Sequence, residues 1–340
     1  MPPLFKPCLI NNPIDDPGLL VSFSFRNRAI AFDLGDIYNL SSREILKISH
    51  VFISHTHMDH FAGFDRLLRV ILGREKTLHI YGPEGFLAHV EGKLSGYSWN
   101  LVEKFSNQLI IHATEISENQ LTSKEYKCQN GFKAMDEPIK RLFCQQKIHE
   151  EASLSVNASI LDHGIPSLCF ALKEKFRVNI RKDALRESGL IPGEWLDRFK
   201  QAVCEKKDPD SIVKVPYEKN SITTLKKYKL MDLVDRIAII TQGQKIAYVA
   251  DAAYTPENLE KIIKLAKNAD HLFIEAAFLE QDIDHAIKKR HLTARQAGEL
   301  AGLANVKRFT LFHFSPRYQK SDDLFYNEAN KAYQQNKNRD

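Results

Sequence analysis

The chain has 340 residues, 43% of them apolar and 27% charged, and carries a formal net charge of +5. That length forms one large domain or two modest ones around a sizeable core, and so ordinary a composition excludes a disordered or fibrous protein. No stretch approaches the roughly eighteen uninterrupted apolar residues of a membrane-spanning helix. The opening MPPLFKPCLINNPIDDPG lacks the basic-then-apolar pattern of a secretory signal. Cys8, Cys128, Cys144, Cys169 and Cys204 are scattered, without a CxxC pair, so reduced thiols and a cytoplasmic location are expected. The positive balance permits a polyanionic partner without requiring one.

In chain order, LLVSFSFRNRAIAFDLGD (19–36) predicts two short strands with a turn at Arg26-Asn27-Arg28. HVFIS (50–54) predicts a buried strand. Phe64, Leu67, Leu68 and Ile71 recur at helical spacing within 61–72, and Gly73 stops that helix. TLHIYGPEGF (77–86) reads as strand, turn and helix start, and LIIHATEI (109–116) as a strand. Residues 117–150 are mixed and polar. SVNASILDHGIPSLCFALKE (155–174) predicts two strands around a loop at Asp162-His163-Gly164. Residues 176–230 are more charged and less strand-like, with an amphipathic helix from Leu190 to Val203 whose Trp195, Leu196, Phe199 and Val203 share a side. KIAYVAD (245–251) ends a strand on an aspartate. Thr255 caps a helix through Lys267 with proline in its first position. DHLFIEAAF (270–278) and RFTLFHFS (308–315) are strands, Thr293 caps a helix through about Ala304, and the tail after Asp322 is helical. Meandering strands with helices between and after them predict two sheets packed face to face with helices outside.

The segment FISHTHMDHFAGFDRLL (52–68) places His55, His57, Asp59 and His60 directly behind an apolar strand. Alternate residues of a strand share a face, so His55 and His57 can present two imidazoles to one point. Asp59 and His60 follow where strand becomes loop and can turn toward a second point nearby. One metal needs only three or four ligands, and so dense a cluster suits two adjacent ions. Imidazole with carboxylate suits zinc, with manganese or iron as rivals. Further ligands are sought at the ends of other apolar strands: His163 after SILD, Asp251 ending KIAYVAD, and His313 within RFTLFHFS. Singly, such residues are more often turn formers or hydrogen-bonded core; beside the cluster they become candidates.

The blocks SHTHMDHFAGFDRLL, LDHGIPSLCF, YVADAAYTPENLEKIIKLAKNADHLFIEAAF, HLTARQAGELA and LFHFSPRY fall in order between residues 51 and 318. In them the chain resembles the metallo-β-lactamase superfamily and, within it, the ribonuclease Z group of tRNA 3′-processing endonucleases. The resemblance implies an α/β fold, the four-layer αββα sandwich, as a single domain over residues 1–340 with a divergent arm or insert at about 173–230. It implies two zinc ions, the first held by His55, His57 and His163, the second by Asp59, His60 and His313, with Asp251 bridging. His291 matches a non-ligand histidine at the scissile phosphate, and Glu275 is a candidate to orient it. Paired divalent ions activate water and neutralise phosphoryl charge. Asp59 can take the water's proton, and a protonated His291 can serve the leaving oxygen. The implied partners are an RNA substrate such as precursor tRNA, or a small phosphodiester, and a second copy in a homodimer; no membrane is implied.

The chain departs from the family in two places. MPPLFKPCLINNPIDDPGLL stands where ribonucleases Z carry a glycine-rich FLGTGSG-like strand-loop at the edge of the site. The flexible glycine-proline arm that grips tRNA is replaced by a more helical 173–230, whose Arg177, Arg181 and Lys182 are candidates for phosphate contact. The same metal chemistry also serves small-molecule phosphodiesterases such as those for cyclic nucleotides, and lactone or ester hydrolases. A non-catalytic RNA-binding scaffold is disfavoured, because a degenerate member would be expected to lose ligands.

Overall fold

Short apolar runs separated by tight turns lay down the first sheet. The computed structural model describes residues 4–24, 26–134, 137–143, 146–219, 222–318 and 322–337; Cys144 lies outside them. The chain divides into two compact units, a sandwich unit (5–148, 156–172 and 245–340) and an insert unit (1–4, 149–155 and 173–244).

Within the sandwich unit, β1 (Phe5–Leu9), β2 (Leu19–Phe23) and β3 (Ala29–Phe32) run antiparallel. β3, β4 (Ile48–Phe52), β5 (Lys76–Pro83) and β6 (Leu109–Ile116) are parallel neighbours. β7 (Gln120–Lys127) and β8 (Ile139–Leu142) finish the sheet as an antiparallel meander. Residues 117–150, read as mixed and polar, therefore contain three strands, the third being Lys147–Glu150. QLTSKEYK is half-buried along most of its length, so the two-residue alternation carries polar rather than apolar residues and escapes a hydrophobic pattern. The second sheet runs in the order Phe309–Phe312, His271–Glu275, Lys245–Val249, Pro166–Glu174, Leu154–Asp162, Lys147–Glu150.

Each sheet covers its outer face with helices. Helices Ser42–Lys47, Phe64–Ile71 and Phe86–Ser95 bury Ile45, Phe64, Leu67, Ile71 and Val90 against Ala29, Ala31, Val51 and Ile80. Helices Pro256–Ala266, Ala294–Leu303 and Asp322–Asn336 bury Ile262, Leu300 and Phe325 against Ala247, Val249 and Leu311. The alternate residues of the same strands face inward. Phe32 stacks on Phe52 and Tyr248 and leans on Phe170, and Tyr248 stacks on Phe312. This is the αββα sandwich. Fully burying side chains of this size stabilises by about 1.5–3 kcal/mol each, so the aromatic seam between the sheets is a main source of the unit's rigidity.

The helix predicted over 61–72 is two pieces, Met58–Phe61 and Phe64–Ile71, broken at Ala62-Gly63. The break follows from close backbone approach. A Cβ on Gly63 would sit 2.3 Å from the Gly35 carbonyl, and one on Gly35 would sit 2.3 Å from the Asp59 carbonyl. Leu34 N–H donates to His60 O, and Gly63 N–H donates to Leu34 O, each at 2.8 Å. The loop after β3 thus clamps the loop that carries Asp59 and His60.

The insert unit has its own core, in which Val178, Ile180, Leu185, Leu190, Trp195, Phe199, Val215, Leu233 and Ile237 cluster. The amphipathic helix predicted from Leu190 is observed over Trp195–Cys204, with Trp195 and Phe199 buried as expected for packing residues. The unit is not merely helical. Phe176–Ile180 pairs with Ala238–Gln242, and Ile212–Lys219 pairs with Ile222–Lys229, both antiparallel. Lysines interleaved along IVKVPYEK and ITTLKKYK disguise these strands in the sequence.

Candidate metal centre

Strands of the sandwich unit deliver the polar residues to one place. His55 and His57 follow β4, and Asp59 and His60 sit in the short helix behind it. Asp251 follows Lys245–Val249, Glu275 ends His271–Glu275, and His313 follows Phe309–Phe312. His163 occupies the turn between Leu154–Asp162 and Pro166–Glu174, and His291 lies ahead of the Thr293 cap. Thr293 and Gln296 form a reciprocal capping box there. His313 is held in the left-handed region at φ 64°, which turns its ring out of the sheet; this conformation is uncommon for a side-chain-bearing residue and gathers at functional positions.

Asp251 stands at the middle and is buried. Its Oδ2 lies 3.4 Å from His163 Nε2 and 3.7 Å from His55 Nε2, and His57 Nδ1 is 2.9 Å from His55 Nε2. Its Oδ1 lies 2.8 Å from His313 Nδ1 and 3.5 Å from His60 Nε2. Asp59 Oδ2 is 3.2 Å from His313 Nε2 and 3.6 Å from His60 Nε2. The ligand-capable atoms of His55, His57, His163 and Asp251 lie within 4.8 Å of one another, as do those of Asp59, His60 and His313. The carboxylate of Asp251 therefore presents one oxygen to each of two histidine groups.

His60 Nε2, His313 Nδ1 and Asp251 Oδ1 are buried without a hydrogen-bond partner, despite their proximity. Leaving buried polar atoms unpaired costs about 1–3 kcal/mol each. Three of them converging on one point are satisfied together by a cation, and the nitrogen-and-carboxylate donor set suits a divalent metal.

The electrostatics carry the same demand. Burial pushes the Asp251 carboxyl up, but the neighbouring His313 and His60 overcome it and hold it well below the usual carboxylate range. Burial likewise raises Asp59, and the hydrogen bond to His313 and the charge of His60 more than reverse it. Burial would lower His313, yet Asp251 and Asp59 push it up to about 10. His60 is also raised, against burial, by Asp251 and Asp33. His55, farther from compensating acid, is driven by burial down to about 2, and burial and the nearby His163 lower His57.

Several supporting residues were not singled out in the sequence. Asp33, at φ 54°, is fully buried. It accepts from Ser54 N–H at 2.6 Å, Ser54 Oγ at 2.8 Å, His60 Nδ1 at 2.9 Å and Tyr248 OH at 2.9 Å. It thereby fixes the His60 tautomer that aims Nε2 at the centre. Its signal was available, since AIAFD ends an apolar strand on an aspartate as KIAYVAD does. The carbonyl of Arg290 accepts from His163 Nδ1 at 2.8 Å, which no side-chain pattern reveals. Buried Asn258 donates to the Asp162 and Ala253 carbonyls at 2.8 Å each, bracing the His163 turn.

His291 joins the constellation with its Nδ1 2.9 Å from Glu275 Oε2 and 3.8 Å from Asp251 Oδ2. Glu275 is held in turn by the backbone N–H groups of Ala252 at 2.8 Å and Leu292 at 3.3 Å. Burial lowers His291, but Glu275 and then Asp251 raise it above its ordinary value. A cavity of about 200 Å³ opens beside the centre, lined in part by Asp15, Asp16, Asp59, Lys289, His291 and His313. Arg177, Arg181 and Lys182 belong to the insert unit. Arg177 pairs with Glu174 at 2.9 Å, Arg181 donates to the carbonyls of Asp235 and Arg236, and Lys182 is exposed.

Comparison with known proteins agrees with this geometry. Residues 34–123 match the family model of the Beta-lactamase superfamily domain. Ribonuclease Z of Deinococcus radiodurans is 29% identical over 285 residues, covering 83% of this chain and 80% of the relative. Ribonuclease Z of Thermococcus sibiricus is 28% identical over 319 residues, covering 92% and 84%. Among solved structures, the short form of human tRNase Z superposes with a TM-score of 0.52 at 17% identity, over 92% of this chain and 93% of that one. The metallo-beta-lactamase fold protein YhfI of Bacillus subtilis gives 0.54 at 15% identity, over 97% and 93%. Fold and centre define a metal-dependent hydrolase of the metallo-β-lactamase fold. Within that class the chain is similar to the ribonucleases Z.

Proposed function

We propose that the protein is a binuclear-zinc phosphodiesterase that cuts RNA, with 3′-extended precursor tRNA as its substrate. The observation that carries this reading is the convergence of His55, His57 and His163 on one oxygen of Asp251, and of His60 and His313 on the other. In this reading Asp59 completes the second group. Two divalent ions at these positions supply Lewis acidity toward a phosphoryl oxygen and lower the pKa of water.

The protein's own residues do the rest. Asp59, beside His313 and His60, accepts the proton of the attacking water. His291, held by Glu275 at 2.9 Å, donates a proton to the leaving oxygen. Glu275 acts through His291 by fixing the ring, and is itself positioned by two backbone N–H groups. Asp33 and the Arg290 carbonyl set the His60 and His163 tautomers, so neither imidazole has to reorient on binding.

The insert unit supplies a feature suited to RNA. In its hairpin Lys214 lies directly opposite Lys227, and Ile212 opposite Lys229. All four are exposed. Like charges facing each other across a strand pair are destabilising by themselves. A polyanion bound to that face relieves the repulsion and adds counterion release. Lys214 and Lys227 join Arg177, Arg181 and Lys182 as candidate phosphate contacts, Arg177 and Arg181 being also engaged within the unit. The test is single-turnover cleavage of a 3′-extended precursor tRNA by zinc-loaded protein. A cut just after the discriminator base, absent from Asp59→Ala, is expected. An intact tRNA from protein that still hydrolyses bis(p-nitrophenyl) phosphate would put the small-phosphodiester reading first.

A further inference from the structure

Asp162 and Arg290 stand immediately ahead of His163 and His291, and they form an ion pair. Arg290 Nη1 donates to Asp162 Oδ2 at 2.6 Å, across 128 residues of sequence. Both side chains are about half exposed, and an exposed ion pair contributes little to stability. Its surroundings point to another role. Asp162 Oδ1 accepts from Gly164 N–H at 2.7 Å, which closes the turn that presents His163. The Asp162 carbonyl accepts from Ala253 N–H at 2.9 Å and from Asn258 Nδ2 at 2.8 Å. The same residue is thereby tied to the loop that follows Asp251.

Arg290 grips that turn at three points. Its carbonyl accepts from His163 Nδ1 at 2.8 Å, and its guanidinium holds Asp162. Its stem lies over Gly164, where an added Cβ would meet Arg290 Cδ at 3.2 Å. Arg290 sits in the left-handed region at φ 57°, which glycine adopts freely and a Cβ disfavours. A glycine would offer the same carbonyl with less strain. What the arginine adds is its side chain, and that side chain goes to Asp162. The His163 and His291 ring centroids are 4.9 Å apart, so a shift of either turn changes the geometry of both rings. Resting on the metal-centre reading above, we propose that Asp162 and Arg290 are a pair of positioning residues. They lock the His163 turn to the His291 turn, so that a metal ligand and the proton donor keep a fixed separation.

The experiment is a double-mutant cycle on the full chain, with Arg290→Gly, Asp162→Asn and the two together. Glycine keeps the carbonyl and suits the backbone angle, and asparagine keeps an acceptor for Gly164 N–H. Zinc dissociation constants are read by competition with a chromophoric chelator, without turnover. Each single change is expected to weaken zinc binding at one of the two positions about tenfold, as losing a residue that holds a ligand in place does. The double variant should bind no more weakly than the singles, because the two side chains act through one contact. Arg290→Lys, which can still pair with Asp162, should recover most of the affinity. Unchanged constants in the single variants would overturn the proposal, as would additive losses or a lysine variant as weak as the glycine one. A melting temperature of the metal-free protein that falls in step with affinity would overturn it too, since the pair would then only stabilise the fold. A wild type that binds two zinc ions but cleaves no phosphodiester removes the functional reading, while the cycle still decides the positioning role; a wild type that takes up no zinc removes both.

Discussion

The sandwich unit and the insert unit use charge in opposite ways. In the sandwich unit, Asp33, Asp251, His55, His60 and Glu275 are buried nearly completely, and their polar atoms converge on one another. In the insert unit, Lys214 and Lys227 stand directly opposed in solvent on one face of a hairpin, beside Lys229, which pairs with Asp210 at 2.7 Å. Buried converging charge requires a rigid scaffold and binds something small and highly charged. Exposed like charge requires only a surface and binds something extended. In the proposed function, chemistry belongs to the first unit and substrate affinity to the second.

The assignment breaks most visibly at Asp59. Asp59→Ala is expected to lower turnover of any phosphodiester by at least about a thousandfold, as both a metal contact and the proton acceptor are lost. The melting temperature of the metal-free protein should stay close to that of the wild type, since Asp59 is partly exposed. Retained turnover would remove it from the mechanism. His291→Ala should cost about 10²–10⁴-fold in kcat, the usual worth of a general acid, with metal content by mass spectrometry unchanged. A fall in metal content would make His291 a ligand instead.

The insert unit offers the converse experiment. Replacing Lys214, Lys227 and Lys229 together with glutamine should weaken RNA binding and reduce the slope of log affinity against log salt by about two to three. Hydrolysis of bis(p-nitrophenyl) phosphate should not change. Equal losses on both substrates would dissolve the division of labour. The smallest expected effect lies in the sandwich unit at the end of a strand opposite the centre, at His271, whose ring burial depresses from 6.5 to about 4. The unfolded chain then binds the proton more readily. This contribution to stability is complete above pH 6.5 and is lost as pH falls through about 4. His271→Gln should flatten the fall in melting temperature across that window; an unaltered acid limb would place the acid sensitivity elsewhere.

What was legible in the sequence follows from the same physics. The cluster at 55–60 reads directly because one strand and one turn carry it. His163, Asp251 and His313 are far apart in sequence but share a rule, each following an apolar run, and the family resemblance implied how they combine. The rule also covers Asp33, which ends the apolar run AIAFD as Asp251 ends KIAYVAD. The Arg290 carbonyl was illegible, since a backbone acceptor depends on the left-handed turn at φ 57° and leaves no trace in side-chain chemistry. Strands failed where lysine or glutamine occupied the alternating positions, in 120–127 and 212–229. In 212–218 Val213, Val215 and Tyr217 do alternate with polar or proline positions, whereas QLTSKEYK is half-buried on both faces and gives no such contrast. Arg177 and Arg181 read as candidate phosphate contacts, but their partners, Glu174 and the 235–236 carbonyls, are not legible in the sequence.

The central claim is that Asp251 stands between two metal positions, and anomalous diffraction at the zinc edge from zinc-soaked crystals tests it most directly. Two peaks flanking the Asp251 carboxylate are predicted, one among His55, His57 and His163 and the other among Asp59, His60 and His313. A single peak at full occupancy, or peaks away from Asp251, would contradict the account.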